Sequence, residues 1–353
     1  VIVHAGYDAP AKPSPEPFEA ALSTLDVGPE RAVHVGNSLG SDVAGARAAG
    51  ASGELNFELS CKSFDELFAG LFCNDWLITD ATDDLFFPSA TEMGFNTPSN
   101  VDNLRVGQHI RISNTGDNDG VFKITGIAGD TITCADANFT TTGSPYVDGR
   151  VEGRHLRNGV QHISYLFEQL YDTDTGKSIY FPGQMVSEAS LTVEASSIVN
   201  GSMSFLGAIG KTAETSIAGS VNPPTTTPVL NATANIGGLK KDGVDMGIAI
   251  TNIELSISNN LAQRRAIGSR GAISIRKGTV DVSGSFEAYF AGNQLTQDVI
   301  NHAITSLSWT FTDSRGNQLI FTIPKIQFDS NSADIEGINT DVMNSIDWTA
   351  TMD

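Results

Sequence analysis

The same order of strand, turn and proline signals occurs twice along the chain. Residues 162–205 predict a strand, an Asp/Gly turn, a second strand containing Pro182, and a last strand that ends on an aromatic residue. Residues 302–348 repeat this order, with Pro324 in the corresponding strand. Self-similarity of this kind is the signature of a repeated supersecondary unit. We therefore predict two related β modules in tandem, although β-rich chains can also share such turn chemistry by chance.

A second pair of segments supports the repeat. Ser52–Glu58 alternates polar and apolar residues, as a half-buried strand does, and the capping box of Ser63 with Glu66 follows it. Ser283–Tyr289 is similar and is followed by Leu295–Asp298. Each predicted module therefore contains a strand and then a short helix. The second module also has an alternating strand at 251–259, and the first module should have its counterpart before the Ser52–Glu58 strand.

The remaining segments differ from the two modules. Residues 77–150 have strand and turn signals of their own, and residues 1–50 have helix, strand and helix signals in α/β order. The predicted fold class is mainly β, with sandwich or barrel modules and short flanking helices. The predicted boundaries are 1–50 for a short α/β-type N-terminal segment, 51–76 with 151–218 for the first module, 77–150 for a small inserted β domain, and 219–353 for the second module.

The charge of the chain limits its relation to nucleic acid. Its 353 residues include 41 acidic and 21 basic side chains, so the formal net charge is −20. Binding through phosphate neutralisation needs the opposite sign, which disfavours a protein that grips DNA. The charge is compatible with a protein that lets DNA slide past without binding it. It is equally compatible with acidity that only keeps the protein soluble or reflects a salty habitat.

The sequence has no recognisable catalytic or metal-binding constellation. Its six histidines are scattered without the spacing of a metal-binding pair, and its three cysteines have neither zinc spacing nor a disulfide framework, which fits a reducing place of synthesis. The cluster of Asp80, Asp83 and Asp84 is predicted to be a solvated turn rather than a calcium site. No stretch has the roughly 18 apolar residues of a membrane span. We predict no catalytic residue, no metal, no cofactor and no membrane contact.

Residues 51–353 resemble the tail tube, or major tail, proteins of phages with long, non-contractile tails. The segments that carry the resemblance are Ser52–Ser60 with Ser63–Asp65, Ser197–Gly207, Ile257–Leu261 with Gly268 and Ser269, and Val282–Phe290. The resemblance implies a structural virion protein whose β modules join edge to edge into a ring, and whose rings stack into a channel for genome delivery. Ring closure would pair strand edges that otherwise favour aggregation.

The same resemblance implies the partners and the location of the protein. The partners are copies of the chain itself, other tail proteins, and double-stranded DNA that passes without tight binding. Because the chain contains two modules, three subunits would build a ring of pseudo-sixfold symmetry. The expected location is the virion tail, after assembly in the host cytoplasm.

A basic cluster follows the strand at 251–259. It is predicted to lie on a hairpin that contacts the next ring or the lumen, and the contact would pair with acidic residues of the neighbouring ring. A solvated loop is the alternative. The residues assigned to this hairpin are Asn259, Arg264, Arg265, Arg270, Arg276 and Lys277.

Residues 1–50 resemble the C-terminal part of haloacid dehalogenase-like hydrolases. In that family a lysine neutralises the phosphorylated nucleophile and an acidic loop helps to hold magnesium. Lys12 matches the lysine and Asp42 matches the second acid, but Asn37 replaces the usual first aspartate. The motif with the nucleophilic aspartate is absent, so no covalent phospho-intermediate can form. We therefore predict that these matches are inactive.

Two alternatives to a tail tube subunit remain open at this point. One is a phosphatase of the dehalogenase type, which rests on residues 1–50 alone. The other is a viral β-sandwich that binds a receptor or decorates the particle.

Overall fold

The computed structural model describes residues 52–141, 145–171, 177–218, 225–269, 271–290, 292–334 and 341–351. Within these residues the chain is mainly β, as predicted, and its antiparallel sheets are open rather than closed. The predicted N-terminal segment, with Lys12, Asn37 and Asp42, lies outside the described residues, and so does Arg270. Among the described helices, none is both long enough and apolar enough to span a membrane.

The described strands and helices alternate with short turns. The strands are β1 Ser52–Glu58, β2 Leu77–Ser89, β3 Glu92–Phe95, β4 His109–Ser113, β5 Gly120–Lys123, β6 Gly126–Ala128, β7 Thr131–Thr133, β8 Tyr146–His155, β9 Tyr165–Leu170, β10 Ser178–Glu194, β11 Asn200–Leu206, β12 Lys211–Ala213, β13 Lys240–Lys241, β14 Val244–Asp245, β15 Ile250–Ser258, β16 Ala262–Arg264, β17 Ser274–Arg276, β18 Asp281–Tyr289, β19 Ile304–Thr312, β20 Gln318–Asp334 and β21 Met343–Ala350. The helices are α1 Asp65–Phe72 and α2 Gln294–Ile300, and single 3-10 turns occur at Pro98–Val101 and Gly116–Asn118.

The chain divides into two compact units. The smaller unit is Phe72–His162, and the larger unit contains the described parts of Val1–Leu71 and Ile163–Asp353. The larger unit is built on one sheet with the strand order β1-β11-β10-β15-β18-β21-β20-β19-β13-β14, while β9 and β12 also pair with β10. Strands β16 and β17 form a separate two-stranded ladder.

One face of the large sheet is apolar because its strands alternate. In β15, for example, Ile253, Leu255 and Ile257 are buried, whereas Glu254 between them is exposed. Trp309 and Trp348 are among the largest buried side chains of the same unit. Each fully buried aliphatic or aromatic side chain contributes about 1.5–3 kcal/mol to folding, so this face is the main source of stability.

The smaller unit is a seven-stranded sheet in the order β5-β4-β8-β2-β3-β7-β6. Its core is separate and is formed by Leu85, Phe87, Met93, Phe95, Val101, Leu104, Ile110, Ile112, Ile124, Ile132, Cys134, Ala137, Phe139 and Val151. Its two chain ends are bonded to each other, since the N–H of Gly159 donates to the Phe72 carbonyl and that of Gln161 to the Cys73 carbonyl, both at 2.8 Å. The unit therefore begins and ends at one place.

The aspartates predicted to form a solvated turn lie instead within strand β2. Asp83 is buried, and its carboxylate accepts hydrogen bonds from the Thr97 N–H at 2.7 Å and the Asn100 side chain at 3.0 Å. Asp80 pairs with Arg150 of the neighbouring strand β8 at 3.2 Å. The prediction of a turn was wrong because these two carboxylates have partners on the 3-10 turn Pro98–Val101 and on strand β8, which local sequence does not show.

Two groups of three neighbouring strands in the large sheet have matching ladders. Gly53 pairs with Phe205, which pairs with Val186, and each of the three residues lies on a different strand. In the same way Gly284 pairs with Trp348, which pairs with Phe328. In both cases the long strand has a bulge immediately afterwards, at residues 187 and 329. Strands β1, β11 and β10 thus correspond to β18, β21 and β20.

The recurring prolines occupy the same place in this arrangement. Pro182 lies in the irregularity between Phe181 and Gln184, where the pairing of β10 with β9 is interrupted. Pro324 lies in the equivalent irregularity of β20, next to Ile323, where that strand shifts register against β19. A proline cannot donate to a ladder, so it is tolerated at such bulges. The proline signal in the sequence therefore marks a kink in each long strand.

Candidate functional site: a polar sheet face and its open edges

The face of the large sheet opposite the core is polar and contains only acidic and neutral polar side chains along four rows. Each row crosses the strands through directly paired residues. The rows are Glu54, Ser204, Glu188, Ser258 and Asp281; Asn56, Ser202, Ser190, Ser256, Ser283, Thr349 and Gln327; Glu58, Asn200, Thr192, Glu254, Ser285, Asp347 and Ser330; and Glu194, Asn252, Glu287, Ser345 and Ser332. We call these residues the acidic face.

The acidic face combines negative charge with short hydroxyl side chains. Glu54, Glu188 and Glu254 are exposed, and none of the four rows contains a lysine or an arginine. Such a surface has a negative potential that repels the phosphates of nucleic acid. The alternating positions of each strand already indicated which residues are polar. Only the strand order shows that they form one continuous surface.

Two strand edges that border the acidic face are open within the described residues. Strand β1 pairs with β11 and ends the sheet on that side. In β20, the segment Ser330–Asp334 pairs with β21 on one side, whereas its ladder with β19 stops at Gln327 on the other. An open edge presents a row of backbone N–H and C=O groups that can pair with another strand. The predicted site residues did not include these edges.

The predicted basic hairpin is formed by β16, β17 and the turn between them. Ala262 pairs with Arg276, and Arg264 pairs with Ser274. The side chains of Arg264, Arg265 and Arg276 are exposed, and Ile267 at the turn is fully exposed. The structure therefore places Arg264 and Arg276 on one short ladder, and Arg265 and Lys277 directly after its two strands. We refer to residues 262–277 as the basic hairpin.

Asn259 lies at the buried base of the basic hairpin. It is only 2% exposed, and its side-chain amide donates to the carbonyl of Leu71 at 2.8 Å and to that of Val186 at 3.0 Å. Its backbone carbonyl accepts from the Gly278 N–H at 3.1 Å. Asn259 thus joins helix α1, strand β10 and the hairpin. It supports the base of the hairpin and is too buried to form a surface contact.

The described residues contain no recognisable metal-binding cluster, and the pKa of two buried thiols is raised. No set of three or more histidine, cysteine or acidic side chains among them could hold a metal ion. Burial raises the pKa of the Cys61 thiol to about 11 and that of Cys134 to about 12, so neither is a thiolate at neutral pH. Burial also lowers the pKa of His155, with help from Arg157 and Arg105.

An open-edged antiparallel sheet with one polar, acidic face is typical of a structural protein that assembles with other chains. The family model of phage tail tube proteins matches residues 35–350, and the chain belongs to this family. A model of haloacid dehalogenase-like hydrolases matches residues 1–50. No curated protein matches the chain. Both resemblances inferred from the sequence are thereby confirmed, and the chain is a structural protein of the phage tail.

Proposed function

We propose that the chain is a tail tube subunit that forms rings with copies of itself, and that these rings stack into the channel through which the genome leaves the particle. The observation that carries this proposal is the acidic face, which spans seven consecutive strands and ends at two open edges. A sheet that is open on both sides can continue into neighbouring copies until a ring closes.

The acidic face would line the channel. Double-stranded DNA carries one negative charge per about 1.7 Å of its axis, and the four rows, which contain no lysine or arginine, give the phosphates nothing to bind. The short serine and threonine side chains leave the wall smooth and hydrated. Passage without tight binding follows, and in this proposal the protein performs no catalysis and uses no cofactor.

The matching ladders support a ring of three subunits with pseudo-sixfold symmetry. Strands β1, β11 and β10 would belong to the first module, and β18, β21 and β20 to the second. Two modules in each chain give six modules in a trimer, which is the simplest closed arrangement with that symmetry. We assign the smaller unit to an inserted domain that belongs to neither module.

The basic hairpin would join successive rings. It connects the ends of β15 and β18, so it lies at the end of the sheet where those strands reach Ser258 and Asp281. Glu58, Glu194 and Glu287 lie toward the opposite end. When rings stack head to tail, the basic end of one faces the acidic end of the next, and this complementarity favours a single stacking direction.

The setting of this function is the virion tail of a phage with a long, non-contractile tail. The remaining partners would be other tail proteins, and assembly would take place in the host cytoplasm. Residues 1–50 would contribute no enzyme activity, because Asn37 replaces an aspartate that the dehalogenase-type metal site expects. Incubation with a phosphate ester and magnesium tests the competing phosphatase, and measurable turnover would favour it.

Negative-stain electron microscopy of the purified chain tests the main proposal. Rings or tubes with an axial hole are expected, with three copies per ring by mass measurement. Dispersed monomers at high protein concentration would contradict ring formation and would favour a binding or decoration protein.

A further inference from the structure

Two equivalent glycines have different surroundings. A Cβ atom added at Gly284 would overlap the backbone carbonyl oxygen of Glu254 and the ring of Trp348, whereas no atom of the described residues lies within 4 Å of the same position at Gly53. The overlap with Glu254 arises because β15 pairs with the outer side of β18, and the overlap with Trp348 comes from β21 on its inner side. No described strand occupies the corresponding side of β1. Strand β1 therefore borders a space that β15 fills in the other half of the sheet.

The long strands show the complementary difference. In β10, the segment Glu188–Glu194 pairs with β11 on one side and with β15 on the other. The equivalent segment of β20 begins at Ser330 and has β21 on one side only among the described residues. Strand β20 therefore lacks the neighbour that β15 provides to β10.

The ladder around β15 shows which backbone groups face the open side. The N–H of Ala195 donates to the Thr251 carbonyl at 2.8 Å, so Ala195 directs its backbone toward the β15 side. In a regular antiparallel ladder, residues two positions apart direct these groups the same way, which includes Ala189. Asn331 follows the bulge in β20 as Ala189 follows the bulge in β10. The N–H of Asn331 therefore points to the open edge.

We propose that the open edges of β20 and β1 form a single junction between two copies of this chain, with one antiparallel strand between them. Inside the chain, β15 lies between β10 and β18 in this way and runs antiparallel to both. The two outer strands of the junction consequently run parallel to each other and cannot form an antiparallel ladder directly. The intervening strand belongs to one of the two copies. This inference rests on the proposed ring.

The register of the internal junction predicts which residues face each other across the intermolecular one. Ser190 pairs with Ser256, and Ser256 pairs with Ser283. The equivalents of the two outer residues are Ser332 in one copy and Ser52 in the next. They are separated by two strand spacings, which is about 10 Å.

Cysteine cross-linking in assembled rings tests this register. The variant with Ser52→Cys and Ser332→Cys is treated with a bis-maleimide that spans about 10 Å, which matches two strand spacings. Covalent links between chains are expected, and variants with one of the two cysteines should give none. The internal pair Ser190→Cys and Ser283→Cys is the positive control, because it should link within one chain. The proposed junction would be wrong if the control variant formed links within one chain while the variant with Cys at 52 and 332 formed no links between chains.

A substitution at the edge supplies a second test. Asn331→Pro removes the N–H that faces the junction, and a proline is tolerated on a strand edge. Asn331→Ala is the matched control, because it keeps the N–H and loses only the side chain, which donates to Thr296 at 2.7 Å. We expect folded monomers without rings from the proline variant and normal rings from the alanine variant.

The outcomes separate this inference from the proposed function. Normal rings from the proline variant would overturn the junction while still supporting a ring-forming protein. Wild-type protein that never forms rings would overturn both.

Discussion

The carboxylate of Asp313 accepts hydrogen bonds from both the backbone N–H and the side-chain amide of Asn317, each at 2.8 Å. It also accepts from the Arg315 N–H at 2.8 Å and so closes the turn between β19 and β20. Burial alone would raise the pKa of Asp313, but these hydrogen bonds and the charge of Arg315 outweigh burial and lower it. The ionised form is therefore the one that stabilises this turn.

This turn should make stability depend on pH in a defined direction. Because the pKa of Asp313 is lower in the folded than in the unfolded chain, its contribution is present above the unfolded value of about 3.9 and is lost as the pH falls through the folded value. Asp313→Asn should cost about 1–3 kcal/mol at pH 7 and flatten the acid limb of the stability profile. Urea midpoints measured from pH 7 to pH 3 check this, with exposed Asp341→Asn as the control. Equal profiles for both variants would contradict it.

The glycine pair should respond unequally to the same substitution. Gly284→Ala places a Cβ against the Glu254 carbonyl and Trp348, so we expect a loss of about 1–3 kcal/mol in the free energy of unfolding. Gly53→Ala meets no atom within 4 Å in the part of the chain that the structure describes, and a change within about 0.5 kcal/mol is expected for the monomer. Urea unfolding of the dispersed protein compares them. Similar losses for both variants would mean that the outer side of β1 is already occupied.

Charge reversal on the basic hairpin should block the growth of tubes. Arg264→Glu combined with Arg265→Glu places negative charge where successive rings are proposed to meet, while both side chains are exposed and their replacement leaves the core intact. We expect rings without tubes in electron micrographs and an unchanged thermal midpoint. Lys211→Glu combined with Lys240→Glu is the control, since both lysines are exposed and the change in net charge is equal. Tubes of normal length from the arginine variant would refute the contact.

Positive charge on the acidic face should convert a non-binding channel into one that holds DNA. Glu188→Lys combined with Glu254→Lys introduces two cations, one in the first and one in the third row of that face. We expect assembled rings to retain short double-stranded DNA at low salt and to release it as salt rises, because phosphate contacts depend on counterion release. Retention is measured by filter binding. Glu66→Lys with Glu214→Lys controls for net charge, and equal retention by both variants would argue against a lumen role.

The smaller unit should be removable. Its ends are held together by the hydrogen bonds of Gly159 and Gln161 with Phe72 and Cys73. Replacing residues 74–158 by a short glycine linker should therefore leave the larger unit folded and able to form rings. Circular dichroism and electron microscopy check the two expectations. A deletion variant that unfolds would show that the smaller unit is part of the folding core and not an inserted domain.

Much of the local structure was predictable from particular residues. Alternation identified β1, β15 and β18, and the two prolines marked the kinks in β10 and β20. The arginines of the basic hairpin were found because they are close in sequence. The sequence did not indicate that Asp83 is buried within a strand or that Asn259 is buried at the base of the hairpin. Their hydrogen-bond partners are not their neighbours along the chain.

The sequence by itself determined that this chain is mainly β, that its strands have one apolar and one polar side, and that the order of strand, turn and proline signals occurs twice. These properties depend on neighbouring residues and their periodicity. Only the tertiary structure decided that the polar sides join into one acidic face and that β1 and part of β20 lack an outer neighbour. Strand order and register arise from long-range pairing, which many alternating strands could satisfy equally well until the whole sheet is assembled.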